Sequence, residues 1–274
     1  MSTIALLTDF GTSDVFVGVM KAVIGGLAPQ AAVIDLTHDI PPGDIAGGAL
    51  RLWQAAPWLP RGTVLLAVVD PGVGAARRAI AGVTGPFAFV GPDNGLFSWV
   101  LAREPEFKTV SLAVSPASRA TFHGRDVFAP AAARLAAGAP LESLGAAVSD
   151  LQALPFPRLS VAGEAARGEV LLHDRFGNLL TSIGILEEGE NVLWVRPWMP
   201  GGPRARLEGR RFHVLLPGGR PVLLARTFSD VARGSPLAYI GSDGLLEIGV
   251  NGGSAAEQLG LARGAEVILS ATGP

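Results

Sequence analysis

Four polar segments in the first half of the chain carry the residue types from which active sites are built. Residues 9–14, 70–78 and 91–95 each follow an apolar run, and His123 lies in a fourth segment before a predicted helix. Any one segment is explained by a helix cap or a turn. Three of them at strand ends favour a ligand site, because open α/β sheets bind ligands at the carboxyl ends of their strands. The imidazole of His123 suits proton transfer near neutral pH.

The other histidines give weaker signals. His38 lies in a Pro-rich loop, where a functional and a purely structural role are equally plausible. His173 and His213 fall in predicted strands and are expected to be structural. No metal-ligand spacing, phosphate-binding loop, dinucleotide fingerprint or nucleophile elbow is present in the sequence, so we predict no metal site.

Polar residues in the second half suggest further binding groups. Residues 173–178 place His, Asp, Arg and Asn inside an apolar strand pattern, which is costly unless something binds them. A hairpin turn at Gly177 is the alternative. Phe228, the segment 242–248 and the segment 251–256 are further candidates, the last as a turn before a short helix whose free N–H groups can meet a ligand.

The elements that must position these groups follow from the apolar pattern. Strands are predicted at 3–8, 32–36, 63–69 and 87–90, and helices at 15–26, 45–56, 95–103 and 126–137. This alternation predicts an α/β domain with a mixed, mostly parallel sheet between helices. Later runs of Val, Leu and Ile between Gly/Pro turns predict a smaller all-β, barrel-like domain. The predicted boundaries are 1–152 for the first domain, 153–166 for a linker and 167–274 for the second.

Composition narrows the class of protein. The 274 residues have a net charge of −2 and no cysteine, which excludes disulfides and thiolate sites and is compatible with a cytoplasmic location. Lysine is scarce and no basic stripe is present, so a nucleic-acid partner is not expected. No apolar run reaches the length of a membrane span, and the apolar start of the chain is expected to be a buried strand rather than a signal peptide.

The motifs taken in order resemble a known family, the S-adenosylmethionine hydroxide adenosyltransferases, relatives of the fluorinating and chlorinating enzymes. The resemblance spans residues 4 to about 265 and is carried by six segments: Thr8–Asp14, Val69–Gly74, Gly91–Gly95, Phe122–Asp126, Asp174–Asn178, and Leu246–Ile248 with Asn251–Glu257. It implies an N-terminal α/β domain, a C-terminal β-barrel-like domain, and a homotrimer with the active site at the subunit interface. It also implies hydrolysis of S-adenosylmethionine, as substrate and without a cofactor, to adenosine and L-methionine.

The resemblance also assigns roles to residues. Asp70, Arg77 and His123 match the trio that holds the attacking water or hydroxide, and Asp14 matches a carboxylate on the ribose hydroxyls. Arg77 is preferred to Arg78 by alignment alone. The remaining implied substrate-binding residues are Asp9, Asn94, Asp174, Phe176, Asn178, Phe228, Ser242, Glu247 and Asn251.

This chemistry explains why such a trio is needed. The sulfonium leaves ribose C5′ as a neutral thioether without a general acid, so the difficult task is to prepare the nucleophile. Arg77 oriented by Asp70 can stabilise hydroxide, and His123 can accept a proton. Two alternatives remain open: a halide-dependent relative, disfavoured because the Asp70 carboxylate repels halide, and a non-catalytic adenosine or S-adenosylmethionine sensor, which has no need of the trio.

Overall fold

A computed structural model describes residues 2–271 and divides the chain into two compact units, Met1–Pro155 and Phe156–Pro274. The strands of the first unit are β1 Thr3–Thr8, β2 Ala32–Thr37, β3 Thr63–Val68, β4 Ala79–Thr84, β5 Phe87–Pro92, β6 Phe107–Leu112 and β7 Gly145–Val148. Its helices are α1 Phe16–Leu27, α2 Ile45–Ala55, α3 Ser98–Leu101 and α4 Ala129–Ala136, the last preceded by a π-helical turn, Gly124–Phe128.

The strands of the first unit form one mixed sheet, in the order β2-β1-β3-β5-β4-β6-β7 among the described residues. Neighbours from β2 to β5 are parallel, and those from β5 to β7 are antiparallel. The predicted mixed character is therefore right, but a mostly parallel sheet is not confirmed. The reason is that β4, β6 and β7 are not predicted from the apolar pattern, and antiparallel neighbours such as β4 and β5 need only a tight turn, not a helix, between them.

Helices cover both faces of this sheet. On one face, Met20 and Ile24 of α1 and Ala132 of α4 pack in a core cluster with alternate residues of β1 and β3. On the other face, Leu52 of α2 and Val100 of α3 pack on the intervening residues of the same strands. Burial on both faces explains the uninterrupted apolar runs of β1 and β3. The sheet thus holds its strand ends, where the polar segments begin, in fixed positions.

The second unit is built from strands. They are β8 Leu159–Ala162, β9 Ala165–His173, β10 Leu179–Thr181, β11 Ile185–Gly189, β12 Val192–Arg196, β13 Ala205–Glu208, β14 Phe212–Leu216, β15 Arg220–Leu223, β16 Pro236–Ile240, β17 Leu246–Val250 and β18 Glu266–Ala271, with one short helix, α5 Ala255–Leu259. The main sheet runs β15-β14-β18-β9-β10-β17-β16, with β8 paired to β9. A bridge between Leu224 and Ala238 links its two ends, so the sheet is nearly closed and barrel-like.

Two local expectations differ from the structure. Residues 153–166 are predicted as a linker, yet β8 lies within them and pairs with β9 in an antiparallel hairpin around Gly163. The helix predicted at 95–103 is reduced to the four residues of α3, because Gly95 takes a positive φ and Asn94 forms a turn before it. No helix within residues 2–271 is both long and apolar enough to cross a membrane.

Candidate functional site

The side chains of Asp70 and Arg77 form a buried ion pair in the loop between β3 and β4. Arg77 Nε lies 3.0 Å and 2.9 Å from the two carboxylate oxygens of Asp70, and Arg77 Nη2 donates a further hydrogen bond to Asp70 Oδ2. The exposed fractions of these side chains are only 10% for Arg77 and 4% for Asp70. Burial and the double contact fix the guanidinium plane, which an exposed pair would not achieve.

His123 completes this arrangement from the start of the π-helical turn. Its Nδ1 lies 3.0 Å from Arg77 Nη2. A guanidinium nitrogen only donates, so Nδ1 accepts and the ring's proton is on Nε2. Burial lowers the pKa of His123, and the charge of Arg77 lowers it further against the opposing effect of Asp70 and Asp126. The imidazole is therefore neutral at pH 7, and its Nε2–H can donate a hydrogen bond to a nucleophile.

The neighbouring Arg78 is held elsewhere. Its side chain pairs with Asp93, through Nε at 2.8 Å, and with Asp150, through Nη1 at 2.6 Å. Asp93 in turn accepts from the backbone N–H of Gln152 at 2.8 Å. Arg78 thus ties the loop to the end of the first unit, while Arg77 faces the candidate site. The two adjacent arginines therefore differ in their partners.

Asp9 lies beside Asp70 at the carboxyl end of the sheet. Its Oδ2 accepts from the N–H of Gly43 at 2.8 Å. Partial burial raises the pKa of Asp9, and the negative charge of Asp70 adds to that rise although the backbone hydrogen bonds oppose it. Asp14, five residues on, is exposed on the loop before α1. Of the two carboxylates, Asp9 is the one with a fixed position near the Asp70 pair.

Asn94 has a contact that acts on Asp70 through the backbone. Its Nδ2 donates to the carbonyl of Val69 at 2.8 Å, and its Oδ1 accepts from Leu96 N at 3.2 Å. Both ends of the amide therefore bind the main chain, one of them at the residue before Asp70. Asn94 positions the strand end from which the Asp70 carboxylate projects.

Three aromatic rings that the sequence analysis did not single out pack together beside Gly124, the residue after His123. Phe10, Phe16 and Phe122 meet edge to face, with ring centroids 5.2–6.2 Å apart. A Cβ on Gly124 would lie within 3.3 Å of both Phe10 and Phe122, so this glycine allows the rings to close around the turn. In the sequence these residues are marked only by their position inside or next to the polar motifs, because a single aromatic residue belongs more often to a hydrophobic core than to a ligand site.

In the second unit, Asp174 organises the segment 174–178 as a turn. Its Oδ1 accepts from Phe176 N at 2.8 Å and Asn178 N at 2.9 Å, and its Oδ2 accepts from Asn178 Nδ2 at 2.9 Å. Gly177 has φ +81° in this turn. Asn178 is buried, while the ring of Phe176 is 78% exposed beside an open cleft of about 640 Å3 between residues 173–177 and 254–262. The sequence left a hairpin turn and a polar ligand-binding cluster as alternatives for this segment. In the structure, residues 174–178 form a turn, and the polar side chains of that turn bind one another.

Asn178, Phe228 and Glu247 share one face of the barrel-like sheet. A Cβ on Gly249 would lie 2.7 Å from the Phe228 ring and 2.9 Å from Asn178 Oδ1, so a glycine is required beneath them. Tyr239, which the sequence reading missed, packs against Phe228 at 5.1 Å and donates a 2.6 Å hydrogen bond to Glu247 Oε2. Burial and the Glu247 carboxylate raise the pKa of Tyr239, so it stays protonated as a donor.

Two other candidates lie near this face in different settings. Ser242 is exposed in the turn after β16. Asn251 follows β17, and its Nδ2 donates to the carbonyl of Val231 at 2.9 Å, so this amide holds the loop that carries Phe228. Within residues 2–271 no group of three or more His, Asp or Glu side chains is arranged to hold a metal ion.

Comparison with known proteins agrees with this distribution of groups over two units. The family model for the SAM hydroxide adenosyltransferase N-terminal domain matches residues 4–145, and the model for its C-terminal domain matches residues 168–268. The chain belongs to this family. Both family domains are present in the order that the sequence motifs indicated.

Individual relatives place the chain within the SAM hydroxide adenosyltransferase family. A protein of Thermus thermophilus named (R)-S-adenosyl-L-methionine hydrolase is 44% identical, over 98% of this chain and 100% of the relative. A fluorinase of Actinoplanes sp. is 27% identical, over 97% of each chain. Among solved structures, an uncharacterized conserved protein from Thermotoga maritima has a TM-score of 0.83 and 33% identity, over 97% of this chain and 99% of the other.

Proposed function

We propose that this protein hydrolyses S-adenosylmethionine to adenosine and L-methionine by in-line attack of water on ribose C5′. The observation that carries the proposal is the buried guanidinium of Arg77 held between the Asp70 carboxylate and a neutral His123. Support also comes from family membership and from the names of relatives that are 42–44% identical. Those names specify the (R) form of the substrate, and we propose the same form here.

The proposed trio divides the work of preparing the nucleophile. Arg77 stabilises negative charge as it develops on the attacking oxygen, and Asp70 fixes the orientation of Arg77. His123 orients the attacking water through its Nε2–H, because its Nδ1 lone pair is taken up by Arg77. The carbon–sulfur bond breaks as the new carbon–oxygen bond forms, and the released proton passes to solvent. Holding the water in line with the carbon–sulfur bond lowers the activation free energy by roughly several kcal/mol, because the entropy of bringing the reactants together is lost on binding and not during the reaction.

The substrate contacts are proposed as follows. The resemblance assigns the ribose hydroxyls to Asp14, but we propose that Asp9 accepts from them instead, because Asp9 is fixed beside Asp70 while Asp14 is exposed on its loop. Phe228 stacks on adenine. The rest of the binding set acts around the nucleoside and the methionine: Asp174, Phe176, Asn178, Ser242, Glu247 and Asn251. Asn94 acts through the backbone at Val69 rather than by contact with substrate.

We propose that the protein is a homotrimer. A homotrimer would combine the residues of the first unit in one subunit with those of the second unit in its neighbour. We also propose that residues 1–152 handle the nucleophile and part of the substrate, and that residues 167–274 bind substrate. The proposed location is the cytoplasm, with no cofactor and no nucleic-acid or membrane partner.

Incubation of EDTA-treated protein with S-adenosylmethionine, followed by product chromatography, tests the function. We expect adenosine and methionine in equal amounts, and a fall in kcat of about a hundredfold or more in Asp70→Asn, because Arg77 then loses its orienting charge. Arg78→Gln is the matched control on the same loop. Substrate that is bound but left intact supports a sensor instead, and a 5′-halo product on addition of chloride supports a halide-dependent enzyme.

A further inference from the structure

His38 is a buried titratable group to which the proposed mechanism gives no role. It follows β2 and is 5% exposed, next to Thr8, which is fully buried at the end of β1. Its Nδ1 lies 2.9 Å from Thr8 Oγ1, and its Nε2 lies 3.2 Å from Asp35 Oδ1. Lys21 of α1 donates to the other oxygen of Asp35 at 2.5 Å. The ring is thus held by a hydrogen bond on the Thr8 side, while its other nitrogen lies near the Asp35 carboxylate without completing a hydrogen bond.

The register of the sheet brings His38 to this place. Leu6 pairs with Asp35, but the next pair is Leu7 with Thr37, so one residue of β2 is bulged out. The bulge advances β2 by one residue, and this sets His38 rather than Thr37 beside Thr8. Bulges at strand ends commonly re-aim a side chain next to a functional site.

Both the side chain and the backbone of His38 bind the turn that carries Asp9. Thr8 Oγ1, the partner of the ring, accepts from Phe10 N at 3.2 Å. The carbonyl of His38 accepts from Gly11 N at 2.8 Å, where Gly11 has φ +67°. The two amides that follow Asp9 are therefore both fixed, one through Thr8 and one directly.

The hydrogen-bond directions are consistent with one protonation state. Thr8 Oγ1 accepts from Phe10 N–H, so its own proton can go to His38 Nδ1. Nε2 then carries a proton, and it lies 3.2 Å from Asp35 Oδ1 without forming a hydrogen bond. Partial burial acts to raise the pKa of Asp35, but the neighbouring Lys21 and His38 lower it overall, so the carboxylate is charged.

We infer that His38 is a positioning residue that acts through Thr8 to hold the Asp9–Gly11 turn in the geometry needed to bind substrate. The inference rests on the proposed function, because it takes Asp9 as the carboxylate on the ribose. Its own structural content, that His38 fixes the Phe10 and Gly11 amides, can be measured without any substrate.

Kinetics of His38→Ala give the first test. Removal of a buried hydrogen-bond partner costs about 1–3 kcal/mol, so we expect KM for S-adenosylmethionine to rise about tenfold while kcat stays within about threefold. His38→Asn keeps an acceptor near the position of Nδ1 and is expected to restore most of the KM. Thr8→Val, which removes only the hydroxyl, is expected to match His38→Ala, and the double variant to be no worse than either.

Amide hydrogen exchange gives the second test and separates the inference from the proposed function. We expect the protection of Phe10 to fall in His38→Ala and to return in His38→Asn, whether or not the wild-type protein hydrolyses S-adenosylmethionine. His213→Ala is the control, because His213 also contacts a hydroxyl, that of Ser270, but in the second unit. Unchanged protection and KM in folded His38→Ala would overturn the inference, as would equal losses in His38→Asn.

Discussion

At the scale of single residues, the candidate site depends on one guanidinium with two different neighbours. Arg77 contacts an acidic side chain on one side and an imidazole nitrogen on the other. The first contact keeps Arg77 in place, and the second makes protonation of His123 unfavourable, since two cations would then lie about 3 Å apart. A neutral imidazole next to a fixed cation is suited to holding a water molecule or hydroxide for attack.

Arg77→Gln should therefore raise the pKa of His123. The variant removes the positive charge that disfavours the imidazolium and leaves the negative charge of Asp70, which favours it. Both changes act in the same direction, so the ring stays protonated to higher pH than in the wild type. NMR titration of the histidine side chains measures this directly.

Arg78→Gln is the matched control for that titration. Arg78 is the adjacent arginine, but its partners are Asp93 and Asp150. We expect the pKa of His123 in Arg78→Gln to equal that of the wild type. A pKa that falls in Arg77→Gln, or that rises equally in both variants, would contradict the proposed role of the Arg77 contact.

At the scale of elements, the site depends on turns that join strand ends to short helices. Gly177 lies in the Asp174 turn with a positive φ, and its carbonyl accepts from Ala256 N at 2.9 Å. Ser254, the N-cap of α5, accepts from Glu257 N and lies so close that a Cβ on Gly177 would overlap its Oγ. The turn and the helix start are thus one packed unit.

Gly177→Ala should reduce the free energy of unfolding more than Gly218→Ala does. Both glycines have φ above +80°, so both variants introduce about 1 kcal/mol of backbone strain. Only the alanine at 177 also displaces the Ser254 cap, which adds about 1 kcal/mol or more. A Cβ at Gly218 meets nothing within 4 Å. Urea denaturation measures the difference, and equal losses would show that the overlap is relieved without cost.

The sequence predicted the elements whose apolar pattern is strong and missed those whose pattern is short or interrupted. Uninterrupted runs gave β1 and β3 with nearly the observed limits. By contrast, β4 contains Gly82, where a Cβ would meet the Phe89 ring, and β7 is only four residues long and partly exposed. Their antiparallel pairing is a long-range property that no local pattern contains.

The sequence could propose candidate residues because the family motifs occur in order along the chain, but it could not show the contacts that these residues make. Sequence order brought Asp70, Arg77 and His123 into one proposal. It could not show that Arg78 turns away, or that both ends of Asn94 bind backbone. Tyr239 was missed because it lies eight residues from Glu247 in the sequence, and only the pairing of β16 with β17 brings the two side chains together.

At the scale of the whole molecule, the proposed residues are divided between two units of the chain. Asp70, Arg77 and His123 belong to Met1–Pro155, and Asn178 and Phe228 belong to Phe156–Pro274. A homotrimer with shared sites would make each subunit depend on its neighbour for substrate binding.

Mixing two inactive variants tests this dependence. Asp70→Asn and Asn178→Ala are each expected to be nearly inactive alone. If sites are shared between subunits, random mixed trimers should recover about a quarter of wild-type activity, because that share of interfaces combines an intact half from each variant. Activity is measured after the subunits are denatured and refolded together. No recovery in trimers of mixed composition would contradict a shared site.

The most direct test of the central claim follows the oxygen of water. The protein is incubated with (R)-S-adenosylmethionine in water enriched in oxygen-18, and the products are analysed by mass spectrometry. Attack of water on ribose C5′ predicts one heavy oxygen in the 5′-hydroxyl of adenosine and none in methionine. Adenosine without the label, label in methionine, or cleavage at another carbon–sulfur bond would contradict the proposed reaction.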